Sequence, residues 1–418
     1  MLDINLIINE AEDVQKKLKS RGFLFDYDVI IKLYEERKKL IAVKESIAEN
    51  KNKLSDKFKE AETDKDKLTI KAESQELESS ISKNKKLLEK TEKKLKDILL
   101  QIPNIPSSDS PIGEDETANA IIKTWGSPVK SNIEHSSLLS NNGLLDFELG
   151  ASISKTRFVV MKNEIAKLHR ALSTFMINTH TEKNGYIEYN VPLIVSRESL
   201  IGTGQLPKFE DDLFKIENND LFLIPTAEVP LTNIYSGKII NESDLPIRIV
   251  AQTPCFRSEA GSYGKDTKGI IRQHQFEKIE LVHIINPEDA DNALEEITLN
   301  AENIVESLEI PYQRVALSTG DLGFSSSKTY DIEAWFPSQN CYREISSCSC
   351  FNDFQSRRLN IKFKNQATKK KNYVYTLNGS GLAIGRTMAA LIENHTRDNV
   401  IHIPSVLHSL TGFKTIKL

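Results

Sequence analysis

Only four cysteines, Cys255, Cys341, Cys348 and Cys350, occur in 418 residues. That is too few for a disulfide framework, and free thiols fit a reducing compartment. Cys348-x-Cys350 with Cys341 nearby is a fragment of a metal-ligand pattern, but no second pair at ligand spacing follows, which argues against structural zinc. The first residues, MLDINLIINEAEDVQKK, have neither the basic start nor the apolar run of a secretory leader, and no segment reaches the ~20 apolar residues of a bilayer span. The expectation is a cytoplasmic protein with no membrane partner. Absent too are a G-x-x-x-x-G-K-[ST] loop and a G-x-G-x-x-G opening a helix, so any nucleotide is held by something other than a P-loop. A net charge of -4 does not announce nucleic acid, which would have to show in how the charge is distributed.

Glycine and proline are missing altogether from Val29 to Leu100, where Ala, Leu and charged residues dominate. Leu33, Leu40, Ile47 and Leu54 recur every seven residues, with Ile30 and Val43 reinforcing the stripe; Ile81, Leu88 and Leu95, preceded by Ile70 and Leu77, repeat it. Two helices with narrow seams follow. Thr63-Asp64-Lys65-Asp66 interrupts the pattern, so the helices fold back as an antiparallel hairpin of ~30 residues each, an arm of ~45 Å at 1.5 Å per residue. Between Lys32 and Asp97 there are 19 Lys/Arg and 15 Asp/Glu; with +4 here and -4 overall, the remainder carries -8. The arm is therefore the basic part of an acidic protein. Taken by themselves, the hairpin's lysines read first as a solvated coiled-coil face and only second as an RNA-binding one.

QIPNIPSSDSPIGEDE, Gln101 to Glu116, ends the second helix and reads as a linker. Beyond it, β-branched and aromatic runs begin at Leu221, Pro246, Gln273, Thr329 and Tyr373, and alternate with amphipathic stretches from Asn163, Glu288 and Gly385. Strands without a regular βαβ period imply an α+β domain on an antiparallel sheet, giving an N-terminal helical hairpin over 1–105 and a second domain over 106–418.

In CFRSEAGSYGKDTKGIIRQHQFEKIELVHI, Cys255 to Ile284, one strand breaks into a Gly-rich loop and returns as another. Alternation puts Arg257 and Glu259 on one face, and Phe276, Lys278 and Glu280 on one face of the returning strand. A guanidinium, carboxylates and an aromatic ring then converge on one sheet surface. A structural salt-bridge network is the competing reading, since such a cluster is costly to bury unpaired.

This segment resembles motif 2 of the class II aminoacyl-tRNA synthetases in the form found in the seryl-tRNA synthetase family. GYIEYNVPLIVSRESLIGTGQLPKFEDDLF (Gly185 to Phe214) resembles motif 1, IPTAEVPLTN (Ile224 to Asn233) the family's serine-site loop, YREISSCSCFNDFQSRR (Tyr342 to Arg358) its metal and ATP strand, and LNGSGLAIGRTMAALIEN (Leu377 to Asn394) motif 3. The resemblance spans the whole chain.

It implies activation of L-serine with ATP to seryl-adenylate and transfer to the 3′ end of tRNA(Ser), and of tRNA(Sec) as well. It also implies a homodimer and a hairpin that grips the long variable arm of the tRNA by shape. Carried over residue by residue, Arg257, Glu344 and Arg386 are catalytic. Thr226, Ala227, Glu228, Arg257, Glu280 and Ser380 hold serine, while Arg257, Ser258, Glu259, Phe276, Glu344, Ile345, Ser346, Ser347 and Arg386 hold ATP. Glu344 and Ser347 hold Mg²⁺, a hard cation suited to oxygen ligands. Within that pattern Phe276 stacks on adenine, Glu259 accepts from its amino group and Arg386 forks onto the γ-phosphate. The sequence departs from the family at Glu134 to Glu148, where His135 and Gly-Leu-Leu-Asp-Phe alone are recognisable, at Lys265 and Lys268, where arginines are commoner, and in the tail Ile403 to Phe413. A paralogue with a non-tRNA acceptor, a catalytically silent tRNA binder and a purely structural coiled-coil protein are the rival readings.

Overall fold

The computed structural model describes residues 1–260 and 269–418; Lys265 and Lys268 lie outside the described residues. The chain divides into two compact units, one of 3–16 and 23–102, the other of 1–2, 17–22 and 103–418.

Four helices make up the N-terminal part: α1 (Ile4–Asn9), α2 (Ala11–Lys19), α3 (Tyr27–Glu60) and α4 (Asp64–Leu99). Asp26 caps α3 by accepting from the Val29 N–H, and Thr63 caps α4 by accepting from that of Asp66. The break expected at Thr63 is thus a helix start. At 34 and 36 residues, α3 and α4 are each about 50 Å long. They run antiparallel: Arg37 pairs with Glu92 at 3.0 Å and Lys51 with Glu78 at 3.5 Å, partner numbers moving in opposite directions. Ile30, Leu88, Leu95 and Leu99 are buried in the seam, and Leu33, Leu40, Ile47 and Leu54 are half-buried. Val43 does not reinforce it. Three residues past Leu40, it falls on the flank of a seam one side chain wide and is 47% exposed. Asn84 and Thr91 fill the alternate seam positions, and the Asn84 amide donates to the Leu40 carbonyl at 3.0 Å.

The larger unit is built on eight strands: β1 (Ala120–Trp125), β2 (Ile187–Glu188), β3 (Ile247–Phe256), β4 (Gln275–Ile285), β5 (Tyr312–Ala316), β6 (Lys328–Phe336), β7 (Cys341–Cys350) and β8 (Tyr375–Ala383). Their order is β1-β5-β6-β7-β8-β4-β3-β2, and every neighbouring pair is antiparallel except β2 with β3. Three helices, α5 (Asn163–Glu182), α6 (Ala290–Ser307) and α7 (Ile384–His395), share one core with this sheet. This is the α+β fold expected: a helical hairpin followed by an antiparallel-rich sheet with flanking helices.

Period-two alternation decides which face each side chain takes. On β4, Ile279, Leu281 and Ile285 enter the core beneath the helices, while Phe276 and Lys278 face a cavity on the opposite side. On β8, Leu377 joins the core and Asn378 the cavity.

Candidate active site

The cavity measures about 590 Å³ and lies over β4, β7 and β8. Its floor is acidic. Thr226 Oγ1 donates to Glu280 at 3.0 Å, and the Asn378 amide donates to Glu280 at 3.0 Å and to Glu228 at 3.2 Å. Gln355 Nε2 donates to the other Glu228 oxygen at 2.6 Å, and Lys278 pairs with Glu280. Glu280 is inaccessible and Glu228 nearly so. Burial, reinforced by the neighbouring Glu280 charge, pushes the Glu228 carboxyl up to about 7. Ala227 caps a short helix, Glu228–Asn233, which sets the Glu228 carboxylate at its first turn.

The wall above the floor is cationic and aromatic. Arg257 donates to the Pro225 carbonyl at 3.3 Å, and its guanidinium sits 5.2 Å from the centre of the Phe276 ring. Arg386 is the third residue of α7. Its Nε donates to the Ile271 carbonyl at 3.0 Å, and one Nη donates to the Glu344 carbonyl at 3.0 Å and carboxylate at 3.1 Å. Arg386 thus draws together the segment leading into β4, strand β7 and the start of α7. Partial desolvation opposes ionisation of Glu344, whose side chain is 46% exposed, but Arg386 and Arg257 outweigh it and hold the carboxyl below its ordinary value.

Alternation does not carry Arg257 and Glu259. Strand β3 ends at Phe256 and Glu259 has left-handed backbone, φ +54°. Its carboxylate meets Arg272 at 2.6 Å. Both residues still line the cavity, because the turn after Phe256 re-aims them.

Thr226, Glu228, Arg257, Glu259, Phe276, Glu344, Ile345, Ser347, Ser380 and Arg386 all line this one cavity. Ala227, Ser258, Glu280 and Ser346 do not. Ala227 is packed in a small core beneath, Ser258 binds the 211–212 backbone, and Ser346 Oγ donates to the Ser380 carbonyl at 2.6 Å. Glu280 stands one hydrogen bond behind the surface, through Asn378.

Sequence reasoning passed over Asn378, Gln355, Arg272 and Asp331. Asn378 was visible as the polar residue sharing the alternation of Ser380 on β8. Gln355, on the separate helix Phe354–Leu359, carried no signal of its own. Asp331 stands opposite Ser347 in the β6–β7 register, with one carboxylate oxygen buried and without a hydrogen bond. Burial, then the Glu344 charge, pushes its carboxyl well above the ordinary value. An orphaned oxygen beside Ser347 and close to a second carboxylate fits a hard divalent cation, which needs few protein ligands where phosphates supply the rest. Among the described residues no group of three or more His, Cys, Asp or Glu forms a metal cage, and no helix is long and apolar enough to cross a membrane.

Two family models match the chain: the seryl-tRNA synthetase N-terminal domain over residues 1–106, and the tRNA synthetase class II core domain (G, H, P, S and T) over 209–395. The serine–tRNA ligase of Saccharophagus degradans is 46% identical over 422 residues, covering 100% of this chain and 99% of that one. Among solved structures, seryl-tRNA synthetase from Pyrococcus horikoshii complexed with ATP is 37% identical with a TM-score of 0.91, and covers 100% of this chain and 99% of its own. Cytoplasmic serine–tRNA ligase from Naegleria fowleri in complex with AMP is 30% identical with a TM-score of 0.86 and the same coverage. An acidic floor and a cationic wall on one antiparallel sheet, joined to whole-chain likeness of this degree, place the chain in the seryl-tRNA synthetase family.

Proposed function

We propose that the chain activates L-serine with ATP and transfers the seryl group to the 3′ end of tRNA(Ser) and of tRNA(Sec). The observation that carries this is the division of one cavity into an anionic floor and a cationic wall. The floor suits an ammonium and a hydroxyl: Glu228 attracts the first, the charge of Glu280 adding to the field from one hydrogen bond behind the surface, and Thr226, Ser380 and Glu228 bond to the second. A site built to hydrogen-bond that hydroxyl rejects alanine, which leaves those groups unpaired.

In the first step a serine carboxylate oxygen bonds to the α-phosphorus and the bond to the β-phosphate breaks, releasing pyrophosphate. Arg257, between floor and wall, faces the α-phosphate and the attacking carboxylate and neutralises the charge that accumulates there. Phe276 supplies a stacking face for adenine and Glu259 an acceptor for its amino group. Arg386 exchanges its bond to Glu344 for a bidentate grip on the γ-phosphate. Glu344 and Ser347, with Asp331 behind them, would hold Mg²⁺, which supplies Lewis-acid neutralisation of the phosphates. In the second step a hydroxyl of the terminal tRNA ribose attacks the seryl carbonyl and AMP leaves. No protein nucleophile is needed.

The basic hairpin supports tRNA binding, because lysines on a rigid two-helix arm can follow the phosphates of double-stranded RNA. A homodimer, a cytoplasmic location, and division of labour between an arm over 1–105 and a catalytic domain over 106–418 complete the reading. Serine-dependent ATP–pyrophosphate exchange, repeated with threonine, alanine and cysteine, tests it. Exchange with serine alone is expected; none with any amino acid from a folded protein would overturn the enzyme reading.

A further inference from the structure

Arg21 has no role in the chemistry above, yet it is one of the most constrained cations in the larger unit. It lies in the short stretch 17–22. One Nη donates to the Asn104 carbonyl at 2.6 Å and the Ser326 carbonyl at 3.1 Å, the other to the Leu322 and Gly323 carbonyls at 2.7 Å each. Among the described residues no carboxylate pairs with it. Burial without a counter-charge lowers its pKa to about 10. A planar fork satisfied by four carbonyls is a geometric device, and the compact ammonium of lysine cannot reproduce it.

The acceptors show what the fork fixes. Gly323, Phe324, Ser325 and Ser326 form one side of the cavity. Asn104 braces the same stretch, its amide donating to the Ser325 carbonyl at 2.9 Å and its N–H to that of Phe324 at 2.9 Å. From this side a continuous run of bonds reaches the floor. Ser325 Oγ donates to the Thr203 carbonyl at 3.3 Å, Gln355 Nε2 donates to that carbonyl at 3.1 Å, and it also donates to Glu228 at 2.6 Å.

We infer that Arg21 is a positioning residue for the amino-acid substrate: by clamping Leu322–Ser326 it holds, through Ser325, Thr203 and Gln355, the seat of the Glu228 carboxylate. The inference rests on the proposed serine site. It separates the two substrates, because the ATP wall around Arg257, Phe276 and Arg386 is held by bonds to Pro225, Ile271 and Glu344 that do not pass through the clamp.

The test is exchange kinetics of the full-length Arg21→Ala and Arg21→Lys variants, with KM for serine and for ATP measured separately. Serine KM is expected to rise about tenfold in both, with kcat and the ATP KM within about threefold of wild type. Millimolar guanidinium ion should lower the serine KM of R21A and leave wild type unmoved. Ser325→Ala, which cuts the same run one link later and leaves the clamp in place, should shift serine KM in the same direction and keeps the test open should R21A fail to fold. An unchanged serine KM, or serine and ATP KM rising together, overturns the inference. Wild-type protein that exchanges without serine preference overturns the functional reading, and this inference with it.

Discussion

The side-chain amide of Asn378 donates to two buried carboxylates at once, 3.2 Å from Glu228 and 3.0 Å from Glu280. Two like charges so close in a dry floor repel, and the shared donor offsets part of that cost while holding Glu228 at the cavity surface and Glu280 behind it. Asn378→Ala should leave two under-satisfied carboxylates. The expected loss of about 2 kcal/mol in transition-state binding corresponds to roughly a thirtyfold fall in kcat/KM for serine. Asn378→Asp adds a third carboxyl and should be worse. Steady-state exchange kinetics, with ATP KM as the internal control, check both.

Glu228 near pH 7 gives serine binding a pH signature. The empty site holds a proton on Glu228 about half the time at pH 7, whereas an arriving ammonium favours the ionised form. Serine should therefore bind more weakly as pH falls from 8 to 6, and binding near pH 7 should release a proton. Titration calorimetry in two buffers of different ionisation enthalpy measures that proton directly. Equal apparent enthalpies in both would remove Glu228 as the ammonium partner.

The same carboxyl and two histidines pull stability in opposite directions. His180 and His283 are buried and their pKa values are pushed down to about 4 and about 3. Neutral rings are favoured in the fold, so their contribution is complete above the ordinary 6.5 and is lost as pH falls toward those values. For Glu228, raised from 4.5 to about 7, the contribution is complete below 4.5 and lost as pH rises through 7. Glu228→Gln removes only the second effect. The thermal midpoint of E228Q should thus fall more steeply on acidification from pH 7 to 4.5 than that of wild type, the gap widening by up to about 3 kcal/mol.

How far the sequence discloses this arrangement depends on whether a residue's partner is local. The hairpin was legible because heptads are a local signal, and the strands carrying Phe276, Lys278, Glu280 and Ser380 because alternation is too. Asn84 and Thr91 were not, since polar residues in a seam look like its solvated flank until the Leu40 carbonyl is seen beside Asn84. Glu259 was assigned by an alternation that ends three residues before it, at a backbone turn no periodicity announces. His135 was recognisable only as the remnant of a family pattern. The fold gives it a reason: its ring meets Glu393 of α7 at 2.7 Å and accepts from the Ile270 N–H at 3.3 Å, behind the cavity wall. Gln355 and Arg21 touch residues more than a hundred positions away, and their roles exist only in three dimensions.

Arg386 offers a sharper test of fork against charge. Its three bonds to Ile271 and Glu344 use the planar guanidinium from two sides. Arg386→Lys keeps the charge but cannot brace the wall and grip a phosphate together. A rise in ATP KM of at least tenfold, with serine KM within about threefold, is expected from exchange kinetics. A lysine variant as good as wild type would reduce Arg386 to a point charge.

The arm yields the last prediction, because its contribution separates cleanly by step. Replacing residues 44–80 with a short Gly-Ser turn removes the outer parts of α3 and α4 and keeps the buried Ile30, Leu88, Leu95 and Leu99 that pack the base. Exchange involves no tRNA and should be unchanged. Charging should lose tRNA affinity by about a hundredfold or more, since each phosphate contact given up also gives up counterion release. The salt dependence distinguishes mechanisms: the full-length protein should show a steep rise in tRNA KM with salt, and the shortened one a shallower slope. Equal slopes would mean that the arm's lysines are a solvated surface and that RNA is gripped elsewhere.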